Sequence, residues 1–221
     1  MTYRSFLIYE FLVLWRRKQD VFNALLFFII VVILFPLGVS AEPAFLAQAA
    51  SGIIWCGVVL SILISIDHMF KEDYQDGSLE QWIVSGLSLP LLMLLKVMAN
   101  WVVIILPLLI MMPLLSEMLF MPNTSFWALV LTLLVGTPGL FLIGVMGAAL
   151  TVSVRQGTML VMLLILPLYL PVLIFATSAV QAAQSGLPYS GFLAMLLALS
   201  LMSLVVSPFM TAMAIKASVS G

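Results

Sequence analysis

The sequence predicts an all-α integral membrane protein: one permease-like domain, residues 1–221, of six transmembrane helices preceded by a short interfacial helix. Composition is the first observation behind this. The chain of 221 residues is 64% hydrophobic and only 8% charged, with a mean hydropathy of +1.28, far outside the range of soluble globular domains. Six apolar blocks are the second, at about 21–40, 46–66, 90–115, 126–150, 159–180 and 191–213. A spanning helix needs about 20 mostly apolar residues, because the hydrocarbon layer is about 30 Å thick. The third is the placement of charge. Arg4, Arg16, Arg17, Lys18, Lys71, Lys96, Arg155 and Lys216 all lie in or beside segments on the side of the N-terminus, and the opposite loops carry only Glu42 and Glu117. By the positive-inside rule that side is cytoplasmic, with both termini inside.

Ahead of the first span, "YRSFLIYEFLVLW" holds too few apolar residues to cross a bilayer and ends in "RRKQD". Residues 1–18 therefore read as an interfacial helix with Arg16, Arg17 and Lys18 at the headgroups, although Arg4 and Glu10 do not fall on one clean polar face. The basic residues, the apolar run and "VSA" at 39–41 imitate a cleavable signal. The run from Val21 to Gly38 is longer than a signal's apolar region, and it reads as the first span.

Within the spans, Pro36, Pro90, Pro107, Pro113, Pro138, Pro167, Pro171 and Pro208 each remove a backbone donor, a loss that neighbouring helices in membrane bundles commonly make good. "GTPGLFLIGVMGAAL" at 136–150 sets Gly136, Gly139, Gly144 and Gly147 along the fourth span, where small residues allow close helix packing. Cys56 is the only cysteine and lies in an apolar run, so it reads as a buried, inert thiol. The five tryptophans are scattered, most of them near span ends, as an aromatic belt would be.

Several chemistries are missing. No lysine follows a glycine, so the chain offers no Walker A phosphate cradle. One histidine and one cysteine exclude a His-Glu-x-x-His zinc site, and the spans hold no protease-like set of ionisable groups. A stand-alone ion-coupled carrier is disfavoured for the same reason. His68, beside carboxylates at a helix end, reads as a surface or capping residue rather than a haem ligand. The expectation is a non-enzymatic subunit with no metal and no intrinsic cofactor.

"KEDYQDGSLEQW" at 71–82 is the exception to the oil. Five of the nine carboxylates fall between Asp67 and Glu80. Gly77 permits a break and "SLEQ" restarts a helix, with Ser78 and Gln81 placed as a capping box and Glu80 in the first turn. Leu79, Trp82 and Ile83 fall on one side. A capped helix of this kind at 71–84, with an apolar edge and an acidic flank, can dock into a groove on a soluble partner; the alternative on the residues alone is an ordinary polar loop lying against the protein's own membrane face.

The arrangement of six spans, an interfacial helix and a capped helix between spans two and three resembles the permease subunits of ABC transporters of the ABC-2 exporter-like group. More narrowly, "DGSLEQ" at 76–81, "LFPL" at 34–37, "GIIW" at 52–55, "LLVGTP" at 133–138, "LPLYLPVLIFATSA" at 166–179 and "SPF" at 207–209 resemble the CcmB family of cytochrome c maturation, the so-called haem exporter B proteins. The resemblance implies a bacterial inner-membrane protein paired with a second copy of itself and with a CcmA-like ATPase, which binds the ATP. It also implies association with CcmC and CcmD, and ATP-driven release of haem-loaded CcmE from CcmC, or haem export with haem as cargo. The alternative is a non-transporting membrane scaffold for haem-handling assembly proteins. Carried onto this chain, the resemblance makes Asp76, Gly77, Ser78, Leu79, Glu80 and Gln81 the ATPase-coupling helix, flanked by Asp73, Gln75 and Trp82. On this reading the double variant Gly77→Pro/Leu79→Asp is expected to lose ATPase association in a pull-down while still inserting in the membrane.

Overall fold

A computed structural model describes residues 2–152 and 157–220; the side chains of 67, 68, 71, 157–164, 219 and 220 lie outside the description, and with them those of His68 and Lys71. Arg155, counted above among the cations of the charged side, lies outside the described residues as well. The chain is all-α, and no strand occurs among the described residues. In order, the helices are α1 (Tyr3–Arg16), α2 (Lys18–Gly38), α3 (Pro43–Met69), α4 (Lys71–Gln75), α5 (Ser78–Val84), α6 (Leu89–Met118), α7 (Asn123–Thr151), α8 (Gly157–Gln184) and α9 (Ser190–Ser220). Six of them, α2, α3, α6, α7, α8 and α9, are long and apolar enough to cross a membrane.

Thr2 starts α1 by accepting from the Ser5 N–H at 3.3 Å, satisfying one of the orphan donors of a helix start. A single residue, Arg17, separates α1 from α2. Prolines sit inside α2, α6, α7, α8 and α9 without ending any of them, and Pro43 and Pro90 occupy first-turn positions where their missing N–H costs nothing.

At the centre stand α3 and α7, the most buried spans, while α2 and α9 keep most of their surface on the outside. α7 packs chiefly on α9 and α8, and also on α3 and α6. With no hydrophobic driving force between helices inside a bilayer, packing and interhelical hydrogen bonds must hold them together. Both are present on α7. Tyr169 of α8 donates its hydroxyl to the Leu140 carbonyl at 2.7 Å; Ser200 and Ser207 of α9 donate to the carbonyls of Val135 and Leu142, each at 2.5 Å. Trp101 of α6 donates Nε1–H to Thr137 Oγ1 at 2.8 Å. A second set of contacts ties α3 to its neighbours: Ser61 donates to the Ala24 carbonyl of α2 at 2.9 Å, and Gln184 of α8 to the Ala47 carbonyl at 3.0 Å.

The glycines of α7 stand at these close approaches. A Cβ on Gly136 would meet the Trp55 ring at 2.9 Å, one on Gly139 would lie 2.8 Å from Ser200 Oγ and 3.2 Å from Ser200 Cα, and one on Gly144 would collide with Ile66 and the Tyr169 hydroxyl. Gly147 is buried on the same helix, its carbonyl accepting from Thr151 at 3.2 Å. Two expectations are corrected. Cys56 is exposed on the outside of the bundle rather than buried, because it projects from α3 away from the inward side taken by Ile54, Trp55 and Val58. Of the tryptophans, Trp15 and Trp127 are exposed, as a belt requires, whereas Trp55 and Trp82 are internal.

Gly139 faces backbone, which yields less readily than the end of a side chain. Gly139→Val is therefore expected to cost about 1–3 kcal/mol through overpacking, read as a lower thermal midpoint in detergent. Gly38→Ala, with nothing within 4 Å of the new Cβ, is expected to leave the midpoint in place.

Candidate functional site

The short helices α4 and α5 lie between α3 and α6, at the end of the bundle that also carries α1. Two glycines in the left-handed region bracket α5: Gly77 at φ 76° and Gly86 at φ 75°, a conformation that costs other residues about 1 kcal/mol or more. The start of α5 differs from the expected capping box. Gly77 is the N-cap residue, no side chain caps it, and Ser78 is already helical. Ser78 instead donates its N–H to Asp76 Oδ1 at 2.9 Å. With the left-handed Gly77 as N-cap, the helix begins one residue earlier than the capping box requires, and Ser78 is already inside it. Partial burial works to raise the Asp76 carboxyl; the Ser78 hydrogen bonds outweigh it and hold Asp76 below its ordinary range.

The nine residues singled out at 73–82 separate into two faces. Asp73, Leu79 and Trp82 are buried, at 3%, 1% and 4% exposure, whereas Gln75, Asp76, Glu80 and Gln81 are exposed and Gly77 and Ser78 half-buried. The apolar edge therefore faces the protein's own interior. Trp82 meets the Phe6 ring of α1 edge-on, centroids 5.4 Å apart. Behind it lies a feature that the sequence reading passed over. Lys96, one of the cations counted at the charged side, is 3% exposed in α6, and it is held by two carboxylates from other helices. Its Nζ donates to both oxygens of Glu10 in α1, at 3.2 and 3.0 Å, and lies 2.9 Å from Asp73 Oδ2 in α4. The Asp73 approach lacks hydrogen-bond alignment. The same ammonium sits 5.2 Å from the Trp82 ring centroid of α5, within cation–π range.

Glu10 is 1% exposed and shares with Phe6 the inner face of α1, which explains why its charge spoiled a clean amphipathic pattern. Burial pushes its carboxyl above the ordinary value, against the pull of Lys96. Two further contacts close the assembly: the Ser88 N–H donates to the Tyr3 hydroxyl at 3.1 Å, and Arg17 pairs with Glu72. Lys96 itself accepts from the Asn100 side chain through its carbonyl at 2.9 Å.

Comparison with known proteins places this arrangement in a family. The CcmB protein family model matches residues 1–218. The chain belongs to the CcmB family. Three bacterial relatives, each called heme exporter protein B, align over nearly their whole length. The protein of Escherichia coli K12 is 46% identical over 219 residues, 99% of both chains. That of Pseudomonas aeruginosa is 45% identical over 206 residues, 93% of this chain and 92% of its own. That of Haemophilus influenzae is 43% identical over 209 residues, 95% of each. This CcmB-family chain is thus a multi-pass membrane protein. Its 73–82 segment has a charged clasp on its inner side and a polar edge on its outer one.

Removing one partner from a buried ion pair leaves an uncompensated charge, at a cost of about 3–5 kcal/mol. Lys96→Met, which leaves Glu10 facing Asp73, is expected to lower the thermal midpoint in detergent and to make the 71–88 segment more susceptible to limited proteolysis.

Proposed function

We propose that this chain is the permease subunit of an ABC-type export system in c-type cytochrome biogenesis, set in the bacterial inner membrane with both termini cytoplasmic. The observation that carries the reading is the outer edge of α4 and α5. Gln75, Asp76, Glu80 and Gln81 stand exposed on a segment that is anchored on its other side by the buried Asp73, Leu79 and Trp82. A membrane protein that keeps a preformed, polar helical edge at its charged end offers a soluble subunit a place to grip. The relatives' name, heme exporter protein B, supplies the cargo class, haem or a haem-loaded carrier.

On this reading a CcmA-like ATPase binds the ATP and docks on the edge formed by Gln75 to Ser78 with Glu80 and Gln81. Asp73, Leu79 and Trp82 support that edge from behind instead of touching the partner. This subunit is non-catalytic. Two copies, with CcmC and CcmD, convert closure of the ATPase pair into a rigid-body movement of the spans. That movement frees haem-loaded CcmE from CcmC or exports haem. A bias of a few kcal/mol between two arrangements of the spans is sufficient.

Exposed substitutions away from special features change stability by about 0.5 kcal/mol or less, so the outer edge can be altered without unfolding the segment. Glu80→Arg/Gln81→Arg is expected to reduce co-purified ATPase at least tenfold, about 1.4 kcal/mol of binding, with membrane insertion and thermal midpoint unchanged. Undiminished co-purification would remove this edge as the docking surface. Normal cytochrome c maturation alongside an ATPase-dead partner would favour a scaffold that transports nothing.

A further inference from the structure

The proposed docking edge says where a motor grips and leaves open how its movement reaches the spans. We propose that Lys96 is the positioning residue that fixes the 71–84 segment to α6, with Asp73 as the attachment through which displacement of the segment is delivered to the membrane. This deepens the proposed function and rests on it.

The geometry is asymmetric in a way that separates attachment from stability. Lys96 donates both of its aligned hydrogen bonds to Glu10, so α1 and α6 form the durable pair. Asp73, from the segment itself, makes a close charge contact at 2.9 Å without that alignment. Two carboxylates share one ammonium, so either can leave without stranding Lys96 unpaired. Asp73 is the only one of the pair on the segment, and it lies five residues before Ser78, where α5 begins. Trp82, on α5, lies over the same ammonium at 5.2 Å. The titratable and charged groups around the ammonium among the described residues are Glu10 and Asp73 in direct contact, Asp76 within its electrostatic reach, and the Arg17–Glu72 pair at the joint of α1 and α2 beside them.

From Lys96 the connection continues inward along α6. Trp101, five positions further on, donates to Thr137 of α7 at 2.8 Å, and α7 holds α8 and α9 through Tyr169, Ser200 and Ser207. A push on α4 thus meets a charged contact to α6, and α6 meets the central span by a directed hydrogen bond. Charge is an uneconomical way to stabilise such a joint, because apolar residues of similar volume serve stability as well or better. What a charge contact adds is direction, since it fixes which group on one helix faces which group on the next.

The test compares two near-isosteric variants in the complete complex with its ATPase: Asp73→Leu and Glu10→Met. A purely stabilising cluster predicts that Glu10→Met, which removes both aligned hydrogen bonds, does the greater harm in every readout. The transmission role predicts opposite orders. Glu10→Met is expected to lower the thermal midpoint more, whereas Asp73→Leu is expected to lower holocytochrome c yield at least tenfold, with co-purified ATPase and its hydrolysis rate within twofold of wild type. Holocytochrome yield of Asp73→Leu within twofold of wild type, or a yield order that simply follows the midpoints, would overturn the proposal. If the wild-type chain brings down no ATPase, the docking reading has failed, and that is visible before any variant is compared. Should Asp73→Leu fail to insert, Asp73→Asn gives the same comparison with the charge alone removed.

Discussion

Burying an ammonium costs several kcal/mol unless carboxylates come to meet it, and that requirement organises the charged end of this protein. Lys96 lies seven residues into α6, too far along the span for its side chain to stay in water while the helix packs. The carboxylates have to be brought by other parts of the chain. Glu10 does so only if α1 lies against α6 with Phe6 and Glu10 turned inward; Asp73 does so only if the chain leaving α3 doubles back as a short helix. Once both are in place, Trp82 closes over the ammonium and Phe6 closes against Trp82. Helix α1 and the acidic segment are therefore two halves of one pocket, and neither position is explained without the other.

Deeper in the bundle the same problem of cohesion is solved without charge. α7 combines glycines that let α3, α8 and α9 approach with carbonyls that accept from Tyr169, Ser200 and Ser207. Each such bond contributes about 0.5–1.5 kcal/mol net, and several on one helix fix its rotation as well as its distance from its neighbours. The Trp101–Thr137 bond is where the two regimes meet, since α6 carries the buried charge at its start and reaches α7 a little more than a turn later.

Much of this could be read from the sequence because it is written in hydropathy. Six apolar blocks gave six spanning helices, and Gly77 marked the break before α5. What hydropathy does not carry is the orientation of a short element. α4 has five residues, too few for any period to say which side faces inward, and so Asp73 looked like its exposed neighbours. Lys96 looked like a loop charge for a related reason: a lone cation near the end of an apolar run is ordinary for a residue that reaches back to water, and its partners are 23 and 86 positions away in sequence. The signal that could have found it was the misfit of Glu10 in α1, a carboxylate four residues from Phe6 on a face that should have been apolar. Ser78 misled in the opposite sense. "SLEQ" matches a capping box letter for letter, but the left-handed turn at Gly77 had already started the helix.

The two faces of α4 and α5 place different demands on sequence, and that difference bears on how such a segment works. Its outer edge need only be complementary to another surface; Gln75, Asp76, Glu80 and Gln81 are short of internal contacts and free to be so. Its inner face has to resist. If a partner moves the segment, the displacement reaches the spans only when the contacts behind it yield less readily than the bundle does, and exposed side chains in water cannot meet that condition, because surface ion pairs contribute about 1 kcal/mol or less. Buried aromatic rings and a charge shared between helices can. On the proposed docking, the clustering of acid in an otherwise apolar chain has two causes in place of one: part of it, at Asp76 and Glu80, serves the outer edge offered to a partner, and part, at Asp73, serves the joint behind that edge.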